Sequence, residues 1–300
     1  MKKIAVVGSI NMDLVVESDS LPKKGETILG NNFFSGPGGK GANQAVAAAR
    51  LGGDVAFFGS LGKDYFGSEL EKNLTDERVK PYIRYDENQS TGVALINVYD
   101  DDNSIIVVSG ANNIYTEGYL AQLKGELIQF DIVLFQLEIN DSLVFELIDY
   151  LSNHHKIIIL NPAPAKKIAP SIIDKITYLT PNEHECQIIF DSQESIETLV
   201  QRHPEKLIVT CGEKGVCYYD GQVQVVPSMD VANIVDTTGA GDTFSGAFAY
   251  GIGRGDTLIK AIQFANVAAG LSITKKGAQA GMPQLSEVEK ETLESRVRKP

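Results

Sequence analysis

The chain has 300 residues, 43% hydrophobic and 22% charged, enough for one large α/β domain with a sizeable core. Its formal charge of −12 and pI of about 4.9 exclude the basic surface that a nucleic-acid or anionic-membrane partner requires. An anionic small ligand stays admissible, because screening confines the net charge to about 8 Å and local donors decide.

In chain order, "MKKIAVVGSINMD" opens with two lysines and a short apolar run that ends at Gly8, Ser9 and Asn11. That is too short for a signal peptide and reads as a first strand, residues 3–8. Residues 11–36 look like strands joined by turns without a helix. The glycine-rich "GPGGKGANQ" (36–44) follows and runs into the helical "ANQAVAAARLG". Further apolar runs at 54–59, 131–136, 156–160, 176–180 and 206–211 are apolar almost throughout, as strands buried on both faces of a parallel sheet are. Helical patterns at 141–154 and 194–203 lie between several of them. A second helix-free stretch, "TGVALINVYDDDNSIIVVSG" (91–110), carries a turn signal, "DDDN", at 100–103. Residues 287–299 read as a solvated terminal helix. The alternation predicts a single α/β domain with a doubly wound, mainly parallel sheet flanked by helices. The stretches 11–36 and 91–110 are expected either to pair into a small β-sheet lid over the sheet's C-terminal edge or to extend the main sheet. Cys186, Cys211 and Cys217 cannot all pair and match no zinc spacing, and no apolar run is long enough to span a bilayer. The expectation is a cytoplasmic protein with reduced thiols.

Four glycines and a lysine at 36–44 suggest bound phosphate, but the count against a P-loop fails twice. The first glycine would have to be residue 34, which is Phe34, and Gly41 stands where Ser or Thr is needed. "GSINMD" likewise lacks the three glycines of a dinucleotide fingerprint. What remains is a ligand-facing loop or a tight strand-to-helix turn, with Asn43 one turn into the helix. "DTTGAGDTFSGAF" (236–248) is a stronger anion site. Gly239, Ala240 and Gly241 would start an amphipathic helix with Ala240, Phe244, Ala247, Phe248 and Gly251 on one face, offering backbone N–H groups at its positive end. Asp242 in that first turn is either a simple cap or the base that deprotonates an attacking hydroxyl. Asn11, Asp13, Glu138, Asn182 and Glu185 fall at expected strand ends and could bind a polyol, though each alone reads as a cap or loop residue. The four histidines show no ligand spacing.

"GSINMD", "GGKGANQAVAAARLG", "STGVAL", "QLE", "NPAPA", "TPNE", "DTTGAGDTF" and "KKGAQAGMP" occur in this order across nearly the whole chain, which thereby resembles the PfkB carbohydrate kinases of the ribokinase type. The resemblance implies an ATP-dependent transfer of phosphate to the 5-hydroxyl of D-ribose, with deoxyribose, a nucleoside or another pentose as alternative substrates. A sugar-binding sensor without catalysis would need a broken base or anion hole, and both are intact. By position, Asn11, Asp13, Gly39, Lys40, Asn43 and Glu138 would contact the sugar, and Asp242 would be the catalytic base beside the Gly239–Ala240–Gly241 anion hole. ATP would meet Asn182, the Thr210–Gly215 turn with Gly212 and Gly215, Gly241 and Asn266. Glu185 would help hold Mg2+ through water. Asp236, Thr238, Ser272, Lys275, Gly277 and Gly281 would hold an activating K+, several of them through backbone carbonyls. The family's small sheet also implies a homodimer joined through the lid. Cys211 stands where leucine is usual, and Met12, inside the N-x-D element, leaves the sugar pocket's width open.

Overall fold

The structure, a computed structural model, describes residues 1–100 and 102–297. Asp101 within the expected turn and the last residues of the 287–299 run lie outside the described residues. The first apolar run forms β1 (Ile4–Val7), after which the chain leaves the core as β2 (Asn11–Glu17) and β3 (Asn32–Gly38) and returns through α1 (Lys40–Arg50). The units β4 (Val55–Gly62), α2 (Tyr65–Asp76) and β5 (Lys80–Asp86) follow, then a second departure, β6 (Gly92–Tyr99) and β7 (Asp102–Val108). Next come α3 (Glu117–Leu127), β8 (Ile132–Phe135), α4 (Asp141–Ser152), β9 (Ile157–Leu160), α5 (Pro170–Ile173), β10 (Tyr178–Leu179), α6 (Glu183–Phe190) and α7 (Ile196–Arg202). Three short strands, β11 (Val209–Thr210), β12 (Val216–Tyr219) and β13 (Val223–Val226), precede α8 (Ala240–Arg254), α9 (Leu258–Ser272), α10 (Ala278–Gly281) and α11 (Leu285–Val297).

The central sheet has the order β10-β9-β8-β1-β4-β5 and is parallel throughout. Alternate residues of β1 enter opposite faces: Ile4 and Val6 pack with α1, α8 and α9, and Ala5 and Val7 with α3 and α4. Strand order reverses at β1, which lies between β8 and β4, and that places a crevice at the C-terminal strand ends. The 206–211 run is a strand only at β11, tied to the main sheet by the parallel bridges Leu179↔Leu207 and Asn182↔Thr210. The apolar-run criterion misses β5, whose "KPYIRYD" mixes charges and a proline. Those residues are tolerated because β5 is an edge.

The two departures pair with each other, in the order β3-β2-β6-β7, rather than extending the main sheet. Only β2 and β6 run parallel in this second sheet. On the other side, α8 is not the amphipathic helix expected. It is buried continuously from Asp242 to Gly253, because α1 and α9 both pack along it above the sheet. Fully buried Phe248 and Phe57 each contribute on the order of 1.5–3 kcal/mol in that layer.

Candidate active site

Ser9 follows β1, Glu138 follows β8, Asn161 follows β9 and Asn182 follows β10, so neighbouring strands deliver polar residues to one edge. Two helix starts converge there. The chain enters α1 through Gly39 at φ 87°, where a Cβ would stand 2.7 Å from the Ile10 Cα. The first N–H groups of α1 are already satisfied: Lys40 N donates to Glu138 Oε2 (3.2 Å), Gly41 N to Ser9 Oγ (3.4 Å) and Ala42 N to the Ser9 carbonyl (2.9 Å). Ser9 Oγ also donates to Glu138 Oε2 at 2.5 Å.

The start of α8 is different. Gly239 precedes it in the left-handed region, and no side chain caps it. Ala240 N donates to the Thr237 carbonyl (3.2 Å), so one of the three expected donors is engaged. The N–H groups of Gly241 and Asp242 have no protein partner among the described residues. Asp242 is buried, accepting from Asn43 Nδ2 at Oδ2 and from Gln44 Nε2 at Oδ1, both at 3.0 Å. Burial raises its pKa above the ordinary aspartate value, against the opposing pull of Lys40, Asn43 and Gln44. A base raised in this way moves closer to its working pH.

Four further charges surround Asp242. Burial alone would lower the Lys40 pKa, but Asp242, Glu138 and Glu185 together hold it above the usual lysine value. Asp13 is pushed up to about 7 by burial, Glu138 and Asp242. Glu185 is raised by burial, partly offset by the Asn182 N–H and by Lys40. Asn182 and Glu185 also form a complete capping box on α6, so both carry a structural task. A cavity of about 190 Å³ opens beside Asp242, lined by Lys40, Asn182, Glu185, Thr210 and residues 239–242, with Asp13 and Glu138 outside its lining. Asn161, Ala163, Thr180, Thr237, Phe244 and Ser245 also line it, none of them assigned from the sequence. Asn161 was visible as the first residue of "NPAPA", and Gln44 as the neighbour of Asn43 in "GANQ".

Other expected residues are engaged elsewhere. Asn11 Oδ1 accepts from Asn112 Nδ2 (2.8 Å), and Asn43 Oδ1 accepts from Gln279 Nε2 (3.1 Å). Gly212, Gly215 and Asn266 lie outside the cavity's lining. Gly212 opens the turn after β11, and Asn266 on α9 braces the Val226 and Pro227 carbonyls (3.2 and 3.1 Å). The loops before α8 and after α9 are tied together by Asp236, whose carboxylate accepts from Thr238 N (2.9 Å) and Gly277 N (2.8 Å). The Ser272 and Lys275 carbonyls accept no hydrogen bond among the described residues. A Cβ at Gly281 would stand 2.4 Å from the Ser272 oxygen. The Lys275 ammonium points away, to Glu287 (3.0 Å). Among the described residues no cluster of three His, Cys, Asp or Glu could hold a metal ion.

A carboxylate beside open backbone donors, with the Lys40 charge acting on it at the same cavity, can deprotonate a hydroxyl and stabilise an anion transferred to it. The model of the pfkB family carbohydrate kinases matches residues 1–285. A ribokinase of Bacillus subtilis is 47% identical, over 96% of this chain and 99% of its own. A ribokinase of Lactococcus lactis is 42% identical over 99% of both chains. Among solved structures, an Arabidopsis thaliana ribokinase complexed with ribose and ATP superposes with a TM-score of 0.87 at 34% identity, covering 97% of this chain and 98% of that one. The chain therefore belongs to the pfkB family of carbohydrate kinases.

Proposed function

We propose that this chain is an ATP-dependent kinase that phosphorylates the 5-hydroxyl of D-ribose, giving D-ribose 5-phosphate and ADP. The observation that carries the reading is the first turn of α8, where a buried carboxylate and two unpartnered N–H groups stand together. The similarity to ribokinases over nearly the full length supports the choice of sugar. In this reading Asp242 takes the proton from O5 as that oxygen bonds to the γ-phosphorus and the bond to the ADP oxygen breaks. The Gly241 and Asp242 N–H groups receive the charge on the migrating phosphoryl, and Lys40 balances it from the other wall. Asn11, Asp13, Gly39, Asn43 and Glu138 hold the sugar, and Asn182, the Thr210–Gly215 turn and Asn266 hold the nucleotide.

Two ions fit the residues present. A lone Glu185 at the cavity wall suits Mg2+ held mainly by water and nucleotide phosphates, where it would neutralise charge on the phosphates. The unpartnered carbonyls of Ser272 and Lys275, kept open by Gly281, together with Asp236, Thr238 and Gly277, suit K+. The second sheet serves as a lid and as the surface of a homodimer. Its exposed Phe33, Leu95, Ile105, Ile106 and Val107 support a partner there. Three free cysteines, with Cys186 and Cys211 pushed up to about 12 and about 11 by burial, suit a reducing cytoplasm. Among the described residues no helix is long and apolar enough to cross a membrane.

The test is ADP release from ATP and Mg2+ across D-ribose, deoxyribose, nucleosides and other pentoses, with and without K+. D-Ribose should have the highest kcat/KM and K+ should raise it. No ribose-dependent ADP release would overturn the assignment.

A further inference from the structure

We infer that Gln44 is a positioning residue for the reaction, orienting Asp242 and holding it ionised; this rests on the kinase reading above. Gln44 is completely buried and lies outside the cavity's lining. Its amide makes three hydrogen bonds: Nε2 donates to Asp242 Oδ1 (3.0 Å) and to Asn161 Oδ1 (3.0 Å), and Oε1 accepts from Gln136 Nε2 (2.6 Å).

The polarity of this amide is locked by groups that have no alternative. The Thr180 carbonyl can only accept, so Asn161 must turn its Nδ2 toward it (3.0 Å) and offer Oδ1 to Gln44. The Asp242 carboxylate accepts as well, so both Gln44 N–H groups point where donors are required. Gln136 is then forced to present its own N–H, which leaves Gln136 Oε1 buried without a partner. A lattice that leaves an acceptor orphaned to keep one donor on Asp242 is a costly arrangement, and its beneficiary is the carboxylate.

The approach of two helices makes this contact possible. Gly246 lies one turn after Asp242 on α8, on the same face. A Cβ there would stand 2.5 Å from the Gln44 carbonyl oxygen and 2.8 Å from the Ala47 Cβ. With α1 this close, consecutive residues Asn43 and Gln44 grip opposite oxygens of one carboxylate, and its remaining lone pairs are left for the substrate hydroxyl.

The experiment compares Gln44→Met with Gln136→Met, both near-isosteric, following sugar-dependent ADP release against pH and checking thermal unfolding of each. Loss of a donor to a charged group predicts that Gln44→Met lowers kcat about 10- to 100-fold. The sugar KM should stay within about threefold, and the acid limb of the kcat profile should move up by about one pH unit. Gln136→Met, which removes a bond of the lattice without touching Asp242, should keep kcat within about threefold and leave the acid limb in place. Lys40, Asp13, Glu138 and Glu185 also face Asp242, from α1, β2, the end of β8 and α6, and are unchanged in both variants. An acid limb that Gln44→Met leaves unmoved, or a fall in kcat that the two variants share in proportion to lost stability, would overturn the inference while leaving the kinase reading intact. Absence of sugar-dependent ADP release in the unaltered enzyme would overturn both.

Discussion

The starts of α1 and α8 share one construction and differ in use. Each is preceded by a glycine at positive φ, 87° at Gly39 and 79° at Gly239, and neither has a side-chain cap. At α1 the first donors are taken by Glu138 and Ser9. At α8 the donors of Gly241 and Asp242 are open toward the cavity. A glycine-rich turn into a helix is thus not in itself an anion site. What decides is whether the protein has already satisfied the N–H groups, and that difference supports the proposed placing of the sugar at "GPGGKGANQ" and the phosphate at "DTTGAGD".

The sharpest way to break this contrast is at the carboxylate in the open turn. If Asp242 is the base, Asp242→Asn should lower kcat at least about 10²-fold while sugar binding, followed by titration calorimetry, is largely kept. Unchanged turnover would reduce Asp242 to a helix cap.

Glycine-to-alanine exchanges at the two starts should separate next. Gly39→Ala meets the Ile10 backbone at 2.7 Å and a positive φ, so it should cost about 1–3 kcal/mol, read in a urea melt. Gly241→Ala meets no atom within 4 Å and should leave stability within about 1 kcal/mol of the parent, or slightly above it. The added methyl stands where the phosphoryl is expected, so kcat/KM for ATP should fall about tenfold. Equal melting effects at the two positions would erase the distinction between a built turn and a ligand turn.

The sequence was readable wherever the cause was local. Runs such as "KIAVVG" and "DIVLFQ" announce parallel strands because both faces are buried, and the glycine spacing of "DTTGAGD" announces a helix start. The state of the donors was not readable, because it depends on residues far apart in the chain. Glu138 reaches the Lys40 N–H across 98 positions, and Gln44 reaches Asn161 across 117. For the same reason α8 looked amphipathic: its second apolar partner, α9, cannot be assigned to that face by periodicity. Asn161 and Gln44 stood inside recognised motifs, yet only the packing gave them partners.

The smallest expected effect lies at Asp13, a buried carboxylate that feels Glu138 and Asp242. Asp13 carries a pKa pushed from 3.8 up to about 7 by burial and by the other two carboxylates. Between those values the folded chain keeps a proton that the unfolded chain has released, so this group's stabilising contribution is complete below about pH 4 and is lost as pH rises to about 7. Asp13→Asn removes the titration and should therefore melt higher than the parent at about pH 8, by roughly 2 kcal/mol or a few degrees, and lose that advantage near pH 4. The same variant should bind ribose more weakly, because an acceptor-only carboxylate gives way to an amide. A melting difference independent of pH would mean that neither burial nor the two neighbouring carboxylates raise the Asp13 pKa. A gain in stability on losing this carboxylate fits the proposed division of the cleft: the start of α8 gathers donors that wait for charge, and the surroundings of Asp13 gather charge that waits for donors.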